Sequence, residues 1–214
     1  MSLPTPNASE LTLQPILGRP AWEIAYLYPA QGDWSEDDYF ALDQQSNRMI
    51  EFSDGWIEVL PMPTVLHQLI VQFLFTALQS YVTAHIRGTV LLAPVPVRLW
   101  PGKFREPDLI FVKPERIKSV RGYPDGADLT MEVVSDDPES RERDLEKKPR
   151  EYAKAGISEY WIVDPKEFSV TVLTLDGSSY RVHGEFGRSA VATSVLLPGF
   201  AVSVDNLFAV ADEN

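Results

Sequence analysis

The stretch that most constrains this chain is Val65 to Ile86. Leu66, Leu69, Ile70, Phe73, Ala77, Leu78 and Tyr81 recur there at helical spacing, and apolar residues occupy more than one face. A helix of that kind has to be covered, so the pattern predicts a central, largely buried helix with the core built against it. Beyond Ile86 the apolar pattern changes period. Residues 89–100, 106–112 and 128–134 are β-branched runs bounded by proline and glycine, with Pro101-Gly102 between the first two, and they predict strands. Residues 136–156 are rich in helix formers and stop at Gly156, and 159–164 reads as a buried strand. Residues 168–175, 179–183 and 190–195 predict closing hairpin strands. Ahead of the long helix, Ser35 caps a short helix that carries Tyr39, Phe40 and Leu42, and Ser53-Asp54-Gly55 predicts the turn of a hairpin. The expected fold class is a mixed α/β (α+β) core, a mixed sheet flanked by helices with extra C-terminal hairpin strands. Residues 1–32 hold five prolines and no period, which predicts an irregular arm before a single domain over 33–214.

Composition narrows the chemistry. The chain has 214 residues and no cysteine, so a disulfide framework, a thiolate nucleophile and a Cys-ligated metal are all excluded. With three histidines, any metal site has to lean on carboxylates. The net charge of −12 argues against indiscriminate attraction to phosphates. Yet the deficit lies outside the middle: residues 1–64 carry −8, residues 164–214 carry −4, and residues 65–163 are neutral and hold most of the cations. The apolar run at 65–86 is interrupted by His67, Gln68, Gln72, Gln79 and His85, and the start lacks the basic and apolar regions of a secretion signal. A cytoplasmic protein without a membrane partner is expected.

Two acids stand out because of where they fall. Asp108 heads Leu109-Ile110-Phe111-Val112, and Glu132 lies within Leu129-Thr130-Met131-Glu132-Val133-Val134. A carboxylate in such an apolar strand is costly unless it is paired or bound to a cation. The plain alternatives are a strand-start cap for Asp108 and an outward strand position for Glu132. The chemical reading is a site for Mg²⁺ or Mn²⁺, hard cations that take carboxylate oxygens and assist phosphodiester hydrolysis, with a lysine nearby to orient water. That lysine is absent from the strand itself, since Val134 stands two residues after Glu132.

The ordered set Pro107-Asp108-Leu109, Met131-Glu132-Val133-Val134-Ser135, Asp144-Leu145-Glu146-Lys147-Lys148, Tyr152-Ala153-Lys154-Ala155-Gly156-Ile157 and Glu159-Tyr160-Trp161-Ile162-Val163-Asp164-Pro165 resembles the Uma2 family. That family is a bacterial domain of unknown function grouped with endonucleases, and the likeness spans roughly residues 35 to 200. It implies the fold of the PD-(D/E)XK restriction-endonuclease-like nucleases, with the site lysine moved to the following helix, where Lys148 matches. It implies metal binding by Asp108 and Glu132 with the Val133 backbone carbonyl. Glu51 is implied as a helper acid, and His67 as a further site position. Against these stand a solvent-facing strand residue for Glu51 and a hydrogen-bonded core histidine for His67. Lys147 and Lys148 cannot share a face, because adjacent helix positions are turned by about 100°. Pro149 is expected to open the helix, with Lys148 projecting from its entrance and Asp144 pairing a cation there. Asp136-Asp137 is expected to be loop decoration.

Two functions from different classes fit these residues. One is a metal-dependent endonuclease acting on nucleic acid, DNA above RNA, with a homodimer as the arrangement suggested by analogy. The other is a catalytically inactive binding or assembly module on the same fold, in keeping with the acidic surface and the lack of a recognisable DNA-reading element.

Overall fold

The computed structural model describes residues 27–46 and 48–212. Most of the expected N-terminal arm, residues 1–26, lies outside them. Helix α1 (Glu36–Asp43) starts where Ser35 predicts, with a reciprocal Ser35/Asp38 capping box. Strands β1 (Ile50–Ser53) and β2 (Trp56–Val59) form the expected hairpin, whose Asp54-Gly55 turn has both residues at positive φ.

The apolar stretch forms helix α2 (Val65–His85). By length and composition alone it could cross a membrane. In the fold it lies along a sheet, burying Ile70, Val71, Leu74, Leu78 and Val82 and leaving Val65 78% exposed. It is therefore an outer-layer helix with a wet face, not the enclosed central helix its composition predicts.

The expected strand at 89–100 is two strands. Pro94 and Pro96 cannot donate to a ladder, and between β3 (Thr89–Leu92) and β4 (Val97–Trp100) the chain changes sheets. The expected strand at 106–112 begins only at Leu109, as β6 (Leu109–Val112); Glu106-Pro107-Asp108 instead leads into it from β5 (Lys103–Arg105), a strand that was not expected. β7 (Leu129–Val133), β8 (Glu159–Asp164), β9 (Ser169–Asp176) and β10 (Ser179–Phe186) complete a six-stranded sheet in the order β10-β9-β8-β7-β6-β3. The β7/β8 pair is parallel and its neighbours are antiparallel, so the sheet is mixed. A second sheet, β2-β1-β5-β4, stands beside it. The β11 (Val191–Thr193) and β12 (Ala201–Ser203) ribbon leads into helix α5 (Val204–Asp212), which the strand reading of the C-terminus had not included.

Both faces of the six-stranded sheet are covered. Leu109, Phe111, Leu129, Met131 and Val133 face α2 and α5, and the alternate residues Ile110, Val112 and Val134 pack on Tyr152, Tyr160 and Ile157. Each large apolar side chain so buried contributes about 1.5–3 kcal/mol. Glu132 belongs to the second face by the same alternation. It is an acid placed in a layer built mainly of apolar side chains.

Between β7 and β8 runs an interrupted helix: α3 (Pro138–Glu142), a π-helical turn over Arg143–Lys147, and α4 (Lys148–Lys154). Pro149 lies in the first turn of α4, as expected, but the residues before it remain helical. Proline has no N–H for the carbonyl of residue 145 and its ring crowds that oxygen. The widened turn, in which the Lys148 amide reaches the Arg143 carbonyl, accommodates it. Asp137 is more than loop decoration, because its side chain accepts from the Ser140 amide as the N-cap of α3.

Candidate active site

The antiparallel register pairs Leu109 with Met131, and one further step places Asp108 across from Glu132. Asp108 Oδ2 accepts the Val133 amide at 2.8 Å. His67, from the first turn of α2, brings Nε2 within 3.2 Å of the same oxygen. Glu132 is almost wholly buried; its Oε1 accepts from Tyr152 Oη at 2.6 Å and lies 2.8 Å from Lys148 Nζ. Lys148 is itself buried and also meets Asp144 Oδ1 at 2.9 Å. Lys147 points away, into an exposed pair with Glu142. Asp108, Glu132, Lys148 and His67 all line one cavity of about 430 Å³.

Glu51 is placed differently. It is buried in an ion pair with Arg105, accepts the Glu106 amide, and does not line the cavity. Neither the helper-acid position nor the solvent-facing one describes it. Arg105 also binds Glu151 and Glu58, which ties the second sheet to α4. A further acid that does line the cavity is Glu106, 1% exposed, with neither oxygen in a hydrogen bond of ordinary geometry. Its position puts it in the strand expected over 106–112. The available signal was a charged residue between Arg105 and Pro107, where the ladder has to break.

Burial dominates the electrostatics. It pushes Glu132 up to about 8, with the Asp108 and Asp144 charges adding to it against the pull of Lys148. Lys148 moves upward, because Asp144, Glu132 and Glu51 outweigh its own burial, and it stays protonated. His67 is raised, since its bond to Asp108 and the charges of Asp108 and Glu132 exceed the burial that lowers it. In Glu51 burial is outweighed by Arg105 and Lys148, which hold it down at about 2. Glu106 is pushed up to about 8 by burial and by the Asp43 and Glu51 carboxylates.

The last shift has a stability consequence. The folded protein keeps a proton on Glu106 that the unfolded chain releases near pH 4.5, so this residue costs stability as pH rises from there to about 8. Glu106→Gln is expected to raise stability at pH 8.5 by on the order of 3 kcal/mol and to change little at pH 4. Thermal denaturation across that range checks it, and an effect independent of pH would contradict the burial argument.

Could the site hold a hard cation? Among the described residues, Asp108 Oδ1 and Glu132 Oε2 have no hydrogen-bond partner, and both side chains line the cavity. Carboxylate oxygens with a backbone carbonyl form the donor set that Mg²⁺ and Mn²⁺ take. Among the described residues no three His, Asp or Glu side chains already converge as an ion cage. The donors fit, with Asp108 Oδ1 open to a cation while His67 holds Oδ2.

The structure is thus a mixed sheet covered by helices on both faces, with two acids opposite each other on neighbouring strands. Residues 36–205 match the family model Uma2, described as "Putative restriction endonuclease", and the chain belongs to that family. Its structure is similar to the crystal structure of a protein from Anabaena variabilis ATCC 29413, described as a putative nuclease belonging to DUF820. The TM-score is 0.63 at 20% identity, over 77% of this chain and 92% of that one, a likeness of fold. No curated protein matches the sequence.

Proposed function

We propose that this protein is a divalent-metal-dependent endonuclease that hydrolyses phosphodiester bonds in nucleic acid, DNA above RNA. Asp108 and Glu132, with the Val133 carbonyl, would hold Mg²⁺ or Mn²⁺. Such an ion, when bound, neutralises charge on the phosphoryl oxygens and lowers the pKa of an attacking water. The observation that carries the reading is the position of Lys148. Valine stands where a strand lysine would be, yet an ammonium from α4 reaches Glu132 at 2.8 Å on the wall of the cavity that Asp108 also lines. A compact, permanently protonated group there can orient water and meet charge developing on phosphate. Tyr152 fixes the Glu132 carboxyl by donating to it, and His67 and the Val133 amide fix Asp108.

Calorimetric titration of Mn²⁺, run beside cleavage of single-stranded and duplex DNA and of RNA, tests this. Wild type is expected to bind and cut, and Asp108→Ala to lose at least about 100-fold in affinity together with cleavage. Binding that survives Asp108→Ala would sink the assignment. Metal binding without cleavage of any substrate would favour the non-catalytic module, a reading that the His67 contact on Asp108 supports.

A further inference from the structure

The carboxylates and Lys148 occupy one part of the cavity, and the remainder has a different chemistry. Its walls include Leu60, Pro61, Pro63, Val71 and Phe75. Gln68 and Gln72, one turn apart on α2, also line it; both are exposed, and among the described residues neither side-chain amide has a hydrogen-bond partner. A glutamine amide offers a donor and an acceptor side by side, as the edge of a nucleobase does. Apolar and aromatic walls suit the faces of a base. At about 430 Å³ the space is that of a small-ligand pocket and not of a double helix.

The surroundings point the same way. Duplex recognition draws on rows of Lys and Arg against two phosphate backbones. The cations lining this cavity are Arg143 and Lys148, both buried and engaged by Glu58, Glu132 and Asp144. Next in sequence to the lining residues Pro61 and Pro63, the chain instead exposes Met62 (67%), and one turn before Gln68 it exposes Val65 (78%). Those side chains offer nothing to a phosphate and can pack against an unpaired base.

We infer that the cavity takes one unpaired nucleotide, with Gln68 and Gln72 at the base edge and Phe75 at its face, so that the substrate is a single strand or an extruded position in a duplex. This rests on the nuclease reading, which sets the phosphate at Asp108 and Glu132.

Fluorescence anisotropy in Ca²⁺ tests it, with a labelled DNA single strand, the same sequence as duplex, and the matching RNA single strand. The single strand is expected to bind at least about tenfold tighter than the duplex, and the Gln68→Ala/Gln72→Ala double variant to lose about tenfold of that with an unchanged melting temperature. The tighter of the two single strands names the natural sugar. Duplex binding as tight as single-strand binding, or a double variant without effect, overturns this inference and leaves the nuclease reading standing. Binding of none of the three overturns both.

Discussion

Replacing Glu159 with alanine is expected to cost about 3–5 kcal/mol, enough to leave a domain of ordinary stability marginally folded. Glu159 is fully buried at the start of β8. Its Oε1 accepts from Trp161 Nε1 at 2.7 Å and Ser194 Oγ at 2.6 Å, and its Oε2 from the amides of Val195 and Leu196 at 2.7 and 2.8 Å. Four donors converge on one carboxylate. Removing it leaves the Trp161 and Ser194 donors buried and unmet, and frees the segment that joins β11 to β12 from the central sheet. Urea denaturation at neutral pH measures the loss, and a change below about 1 kcal/mol would show that the segment is held by its apolar contacts alone.

The second large effect separates two adjacent lysines. Lys148→Ala leaves Glu132 and Asp144 buried without their shared cation and is expected to cost about 3–5 kcal/mol. Lys147→Ala removes an exposed pair with Glu142 and is expected to stay within about 0.5 kcal/mol of wild type. Denaturant midpoints of the two variants check the contrast. Equal effects would mean that the widened turn at Arg143–Lys147 does not select between them.

Much of the site could be read from the sequence, because a charged residue inside an apolar strand is a local anomaly with few physical solutions. Asp108 and Glu132 were visible on that ground, and the ordered motifs pointed to Lys148 once Val134 left the strand without its lysine. Burial and pairing are tertiary facts, and there the reading failed. Glu51 and Glu106 are both acids near the second sheet, but which of them faces Arg105 and which the cavity depends on how β1 and β5 pair. The fold shows the same division. The capped start of α1 and the Asp54-Gly55 turn are set by local chemistry, and they stand where the residues indicate. The breaks at Pro94-Pro96 and at Glu106-Pro107-Asp108 were under-read, since each proline is tolerable at a strand edge and only sheet order shows that the chain is changing partners. Helix α5 was missed although Val204, Leu207 and Phe208 recur at helical spacing.

The most direct measurement is the anomalous scattering of Mn²⁺ soaked into crystals of the protein. The expected result is one peak in the cavity within roughly 2.0–2.6 Å of oxygens from both Asp108 and Glu132, with Lys148 still beside Glu132. A peak elsewhere, or an unoccupied cavity at saturating Mn²⁺, would contradict the metal-dependent nuclease.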